Sequence, residues 1–167
     1  KVRKKSAISL ISYDADYLPN SIKTYYDYVD EIVLGLDKNR VSWSKNKFTF
    51  DESKLWSELN DIDSDGKITI VEEDFVKSDK AIENDNFERN YLKEQCSHDW
   101  IFSFDADEEL LNAHDFFINY LPLVEKYYNS CDIMMTWATP FKTIEDKTLV
   151  ICENDGQAFL KEPQGVV

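Results

Sequence analysis

Residues 7–37 read AISLISYDADYLPNSIKTYYDYVDEIVLGLD, and their pattern decides the fold. Ala7 to Ser12 is a compact apolar run of the length of a buried strand. Tyr13, Asp14, Ala15 and Asp16 follow as a polar turn. Leu18, Ile22, Tyr25, Tyr26 and Val29 then recur at helical spacing, with Pro19 near the helix start, where its missing N–H costs least. Glu31 to Leu36 is a second short buried strand, ended by Asp37, Lys38 and Asn39. Strand, helix and strand within about 30 residues predict a βαβ unit, and with it a parallel sheet.

The same alternation continues outward. Residues 40–60 are a polar excursion with a helix expected from Asp51 to Leu59. Lys67 to Val71 is β-branched and reads as a third strand. A helix is expected from Ala81 to Cys96, burying Phe87, Tyr91 and Leu92. Trp100 to Phe104 reads as a fourth strand and runs straight into Asp105, Ala106, Asp107, Glu108 and Glu109. Phe116 to Tyr128 has helical spacing, with Pro122 starting, kinking or dividing that helix. Ile133 to Trp137 and Thr148 to Cys152 are later strand candidates. With no internal repeat and no low-complexity linker, residues 1–167 read as a single α/β domain.

Composition bounds the function. Of 167 residues, 33 are acidic and 19 are Lys or Arg, a net charge of −14. A field of that sign repels phosphate backbones and argues against nucleic acid as a partner. It still admits an anionic ligand if a cation lies between protein and phosphate. The basic cluster of Lys1, Arg3, Lys4 and Lys5 reads as a solvated end. Cys96, Cys131 and Cys152 form no CxxC pair and read as reduced thiols of an intracellular chain. No apolar stretch nears the ~20 residues that span a bilayer, and the run at 7–12 is too short for a signal peptide. The expectation is a cytoplasmic protein that does not span a membrane.

Ligands of open parallel sheets bind beyond the carboxyl ends of the strands, which is where Asp105 and Asp107 fall. Residues two apart in an extended segment point the same way, so both carboxylates can face one ligand. Two hard oxygen donors suit Mg²⁺ or Mn²⁺, which retain further positions for phosphate oxygens. The plainer reading is a solvated acidic turn after a strand, and a bare DxD does not choose between the two.

Residues 7–37, together with NFERNYLKEQCSHDWIFSFDADEEL at 86–110, resemble the family 2-like glycosyltransferases with the GT-A fold. The order and spacing of the blocks match over residues 7–110. The resemblance implies a metal-dependent, inverting transfer of a sugar from a nucleoside-diphosphate sugar, UDP by preference, to a glycan, lipid or protein-linked hydroxyl. It implies that Ser12, Tyr13 and Asp14 help hold base and ribose, and that Asp37 sits where the base is recognised. Arg89 and Asn90 would face the nucleotide pocket, Asp105 would contact ribose or metal, and Asp107 would bind Mn²⁺ or Mg²⁺ at the diphosphate. Plainer roles exist for several: Tyr13 as a half-buried aromatic, Asp37 as a turn residue, and Arg89 paired with Asp85 one helical turn earlier. Two departures stand out. Lys38-Asn39-Arg40 replaces the family's usual Ser/Thr-Asp turn, and the C-terminal portion, where acceptor site and base normally reside, shows no match. Glu145 or Asp146, an acidic pair after a later strand, is the expected general base.

Two other classes compete. Asp61 to Glu72 (DIDSDGKITIVE) satisfies an EF-hand loop at every specified position. Its flanks do not: Ser57 and Asn60 occupy expected apolar places before it, Glu73, Lys77 and Lys80 come after it, and Ile68, Ile70 and Val71 are needed for the third strand. A nucleotidyltransferase also pairs carboxylates with a parallel sheet, but carries a Gly-rich basic loop near the first strand that is missing here. His98 and His114 lack ligand spacing. The four tryptophans read as core, with Trp137 the one placed to stack on a sugar.

Overall fold

In the computed structural model, which describes residues 3–135, 138–144, 147–151 and 158–161, the first apolar run is strand β1 (Lys5–Ile11), buried from Ser6 onward. Helix α1 (Leu18–Tyr25) follows with Pro19 in its first turn and Leu18, Ile22 and Tyr25 buried, and a single tight 3₁₀ turn at Tyr26–Tyr28 ends it. Strand β2 (Glu31–Asp37) pairs in parallel with β1, Ile8 opposite Val33 and Leu10 opposite Gly35. Helix α2 (Glu52–Ile62) begins where the Asp51 carboxylate accepts a hydrogen bond from the Lys54 N–H, a standard N-cap. Strand β3 (Ile68–Glu73), helix α3 (Ala81–Gln95) and strand β4 (Trp100–Ser103) complete this part of the chain.

The sheet order is β3-β2-β1-β4, and each neighbouring pair is parallel. The chain steps outward from β1 to β2 to β3. Helix α3 then carries it back across β2 and β1, so that β4 adds on the opposite side of β1. This is a mixed α/β arrangement of four parallel strands flanked by helices, compatible with a Rossmann-like fold and with the βαβ pattern of residues 7–37. Burial of β1 and β2 on both faces is why they read as continuous apolar runs rather than alternating ones.

The buried face of α3 departs from expectation. Leu92 is buried, but its companions are Asn84 and Glu88, not Phe87 and Tyr91. Residues 84, 88 and 92 form one row at spacing four, and that row lies against the sheet. Phe87 and Tyr91 flank it, packing their edges on Phe75 at ring separations of 6.5 and 5.6 Å, which leaves Phe87 39% exposed. Ile8, Leu10, Val33, Phe75 and Leu92 form the apolar cluster beneath. Gly35 lies under this helix with no room for a side chain: a Cβ there would come within 2.7 Å of Glu88 Oε1 and 2.9 Å of Leu92 Cδ1.

Residues 61–72 form a helix end, a turn and a strand rather than a helix–loop–helix. Gly66 takes φ of +66° at the turn. Asp63 Oδ1 accepts from the Tyr26 hydroxyl and the Lys67 N–H, and Oδ2 accepts from the Ile68 N–H. The aspartate at the loop's third position therefore closes the turn.

The sequence pattern predicts one domain over residues 1–167; the chain gathers into two compact units, Lys1–Ala113 and His114–Val167. In the second, a wide π-helical segment, Asp115–Tyr120, runs into helix α4 (Leu121–Tyr127), the Leu121 N–H donating to the Phe116 carbonyl five residues back. Pro122 occupies the first turn of α4, so it marks the change of helical pitch without ending the helix. Strands β5 (Thr139–Ile144), β6 (Lys147–Ile151) and β7 (Ala158–Lys161) form an antiparallel sheet in that order. Residues 133–135 are not a strand, and Trp137 lies outside the described residues. Among the described residues, no helix is long and apolar enough to cross a membrane.

Candidate functional site

The strand order reverses between β1 and β4, and in open α/β sheets ligands are taken at such a reversal, beyond the carboxyl ends of the strands. Beyond β1 the chain turns tightly, with Ala15 N–H donating to Ser12 C=O (3.2 Å) and Tyr17 N–H to Asp14 C=O (3.0 Å). Asp14 is thereby held half-buried, and its Oδ1 is buried without a hydrogen-bond partner. Tyr13 next to it is 76% exposed.

Beyond β4, Phe104 keeps the sheet alignment, donating its N–H to Ile8 C=O and stacking its ring on Tyr25 at 4.4 Å. The next turn is braced internally and against α1. Asp105 N–H donates to Glu108 Oε2 (2.9 Å), Glu108 N–H to Asp105 C=O (3.1 Å), and Leu110 N–H to Thr24 Oγ1 (3.0 Å). Asp107 emerges exposed.

Asp14 feels the negative charges of both Asp107 and Asp105. Burial raises the pKa of the Asp14 carboxyl above its ordinary value, a hydrogen bond from its own backbone N–H opposes this, and the charges of Asp107 and Asp105 raise it further. Glu108 is raised in the same way, by burial first and then by Asp105 and Asp107. Such a cluster lacks positive charge. Arg89 supplies one: its Nη2 donates to Asp105 Oδ1 (2.5 Å), its Nη1 to Ser103 Oγ (2.7 Å), and its Nε to Asp85 Oδ1 (2.5 Å). The Asp85 pair expected for a helical Arg is present, and the guanidinium also spans to Asp105.

Among the described residues, no three His, Cys, Asp or Glu side chains converge as a metal cage. A cation held here would take few protein ligands and fill its remaining positions with phosphate oxygens and water, as Mg²⁺ does beside substrate phosphates. Oδ1 of Asp14, buried without a partner, and the negative charges of Asp107 and Asp105 that Asp14 feels fit a cation of that kind.

The other expected residues separate. Ser12 lends its carbonyl to the turn. Asp37 is buried and committed to backbone, Oδ1 accepting from Asn39 and Val41 N–H and Oδ2 from Phe75 N–H. Its carboxylate shapes the turn after β2. Asn90 is exposed, one step around α3 from Arg89. Glu145 and Asp146 lie outside the described residues, as does Cys152.

Two residues that the sequence pattern assigns to the core or passes over belong to this neighbourhood. Trp43 lies with its ring 5.5 Å from Arg89 Cζ and donates its indole N–H to Glu88 Oε2 (2.7 Å). Glu88 is 5% exposed, and burial pushes its carboxyl up to about 7. The signal for Glu88 is its spacing of four from both Asn84 and Leu92; for Trp43, distant in sequence, there is none. Compared with known proteins, the chain matches no family model and no curated protein.

Proposed function

We propose that the chain is a metal-dependent glycosyltransferase of GT-A type that binds a nucleoside-diphosphate sugar beyond the carboxyl ends of β1 and β4. One observation carries the reading: Asp14 follows β1 and Asp105 and Asp107 follow β4, the two strands at the reversal of strand order, and Oδ1 of Asp14 is buried with no hydrogen-bond partner. The resemblance of residues 7–37 and 86–110 supports it independently.

In this reading Asp107 and Asp105 hold Mn²⁺ or Mg²⁺ against the diphosphate, and Arg89 adds positive charge from the α3 side. When bound, the cation supplies the charge neutralisation that lets the diphosphate leave. The exposed Tyr13 ring offers a flat surface for the base, and the Ser12–Asp14 turn borders the ribose. Asp37 contributes by fixing the course of residues 38–41. The donor is a UDP-sugar, the acceptor a hydroxyl, and the transfer inverts the anomeric carbon by direct displacement.

Thermal unfolding with nucleoside diphosphates, with and without Mn²⁺, tests this. A ligand at 100 times its Kd adds about 2.7 kcal/mol of stability, so UDP with Mn²⁺ is expected to raise the midpoint by several degrees. Asp107→Ala is expected to remove the Mn²⁺-dependent part while leaving the ligand-free midpoint unchanged, because Asp107 is exposed. No shift with any nucleoside diphosphate and either cation, or a shift that survives loss of both Asp105 and Asp107, sinks the proposal.

A further inference from the structure

We infer that Trp43 is a positioning residue for this site: held by two residues of α3, its indole seats the Arg89 guanidinium against Asp105. The inference rests on the glycosyltransferase reading only for the ligand used in its binding test.

Trp43 lies in the 38–50 segment between β2 and α2, far along the chain from Arg89, and α3 fixes it at two points. Asn84, fully buried, donates from Nδ2 to the Trp43 carbonyl (2.9 Å), and Glu88 Oε2 accepts from the indole N–H (2.7 Å). Residues 84 and 88 are successive positions of one helical row, so backbone and ring of Trp43 are both referred to the same rigid element. The ring then lies 5.5 Å from Arg89 Cζ, within the range where a guanidinium is attracted to an indole face.

That placement matters because a long, freely rotating arginine side chain loses rotamer entropy when fixed. Asp85, one turn back on the same helix, holds the Nε–H and leaves the two Nη groups to be directed by what lies beside them. With its Cζ over the Trp43 ring, the guanidinium reaches Ser103 and Asp105. Asp105 gains an oriented carboxylate, with Oδ1 committed to Arg89 and its backbone N–H to Glu108. The segment after β2 thus acts on the loop after β4 through one aromatic ring.

Two measurements on the full chain test this. In ¹⁵N spectra without metal, the Arg89 Nη–H signals, whose donors reach Ser103 and Asp105, are expected to exchange slowly with water in the unaltered protein, to approach free-arginine behaviour in Trp43→Ala, and to stay protected in Trp43→Phe, which keeps a ring. Thermal unfolding establishes that each variant is folded, and Trp43→Leu, which keeps bulk but has no ring face for the guanidinium, takes the place of Trp43→Ala if the latter is not. In calorimetry with UDP and Mn²⁺, Trp43→Ala and Arg89→Ala are each expected to weaken binding about tenfold, and the double variant to bind no worse than Arg89→Ala alone, since contacting residues acting as one unit are not additive. An Arg89 signal unaffected by Trp43→Ala overturns the inference, as do losses that multiply in the double variant. Absence of UDP binding in the unaltered protein sinks the glycosyltransferase reading instead, and the Arg89 signal then decides the positioning role by itself.

Discussion

Glu88 lies where an ionised carboxylate is poorly solvated, against Gly35 and beneath the Trp43 indole. Burial is the main cause that lifts its carboxyl from the ordinary 4.5 to about 7, with the Trp43 N–H opposing and the charge of Asp37 adding. The folded state therefore holds this proton more tightly than the unfolded chain does. The stability contributed by the neutral form is complete below about pH 4.5, fades as pH rises towards 7, and is absent above. Glu88→Gln keeps an acceptor for the indole and cannot ionise. It is expected to unfold at a higher temperature than the parent at pH 8, by up to about 3 kcal/mol of stability, and to match it near pH 4.5; denaturant titrations across that range check this. Gly35→Ala probes the same contact from the sheet side. Its Cβ would meet Glu88 Oε1 at 2.7 Å and Leu92 Cδ1 at 2.9 Å, so a loss of about 1–3 kcal/mol is expected in urea melts. An unchanged midpoint would mean that α3 yields easily at this point.

Helix α3 combines two tasks that usually fall to different elements. Leu92 at its far end packs in the apolar cluster, whereas Asn84 and Glu88 along the same row organise loops. Asn84 Oδ1 accepts from Lys77 and Ser78 N–H, and its Nδ2 donates to the Trp43 and Ser78 carbonyls. All four hydrogen-bonding capacities of the amide are used while the residue is fully buried. Asn84→Ala removes the side-chain partner of two N–H groups and two carbonyls that are partly buried, and each such loss costs about 1 kcal/mol. The expected loss is about 3 kcal/mol or more by chemical denaturation, with faster amide exchange at Lys77 and Ser78. Retained protection at those two amides would show that other groups hold this segment.

At the scale of the molecule, the reversal of strand order sets the location of the site, and the acidic balance sets its demand for a cation. Residues up to Ala113 hold the four parallel strands, α1 to α3 and the buried cluster. A chain of residues 3–113 is expected to unfold in one cooperative thermal transition; a broad, non-cooperative melt would show that this unit depends on residues 114–167. The net charge of −14 predicts self-repulsion that salt relieves. Raising NaCl from about 0.01 M to about 0.15 M shortens the screening length from roughly 30 to 8 Å. The thermal midpoint is expected to rise over that interval, and one that falls would mean attractive pairs such as Arg40–Glu72 and Arg40–Glu52 outweigh the net repulsion.

Residues 7–37 by themselves determined the parallel βαβ unit, because continuous apolar runs of strand length around a helical repeat have few other ways to be buried. The apolar residues leading into Asp105 likewise placed that acidic turn at a strand exit. Local sequence did not set the direction in which each strand is added, and that choice alone puts the turn holding Asp14 and the turn holding Asp105 and Asp107, over 90 positions apart, at the ends of adjacent strands. Nor could helical spacing show that the row of Asn84 and Glu88 faces the sheet, since an apolar count favours Phe87 and Tyr91. Buried hydrogen bonds to backbone groups distant in sequence turned the helix that way, and they carried Trp43 to Arg89.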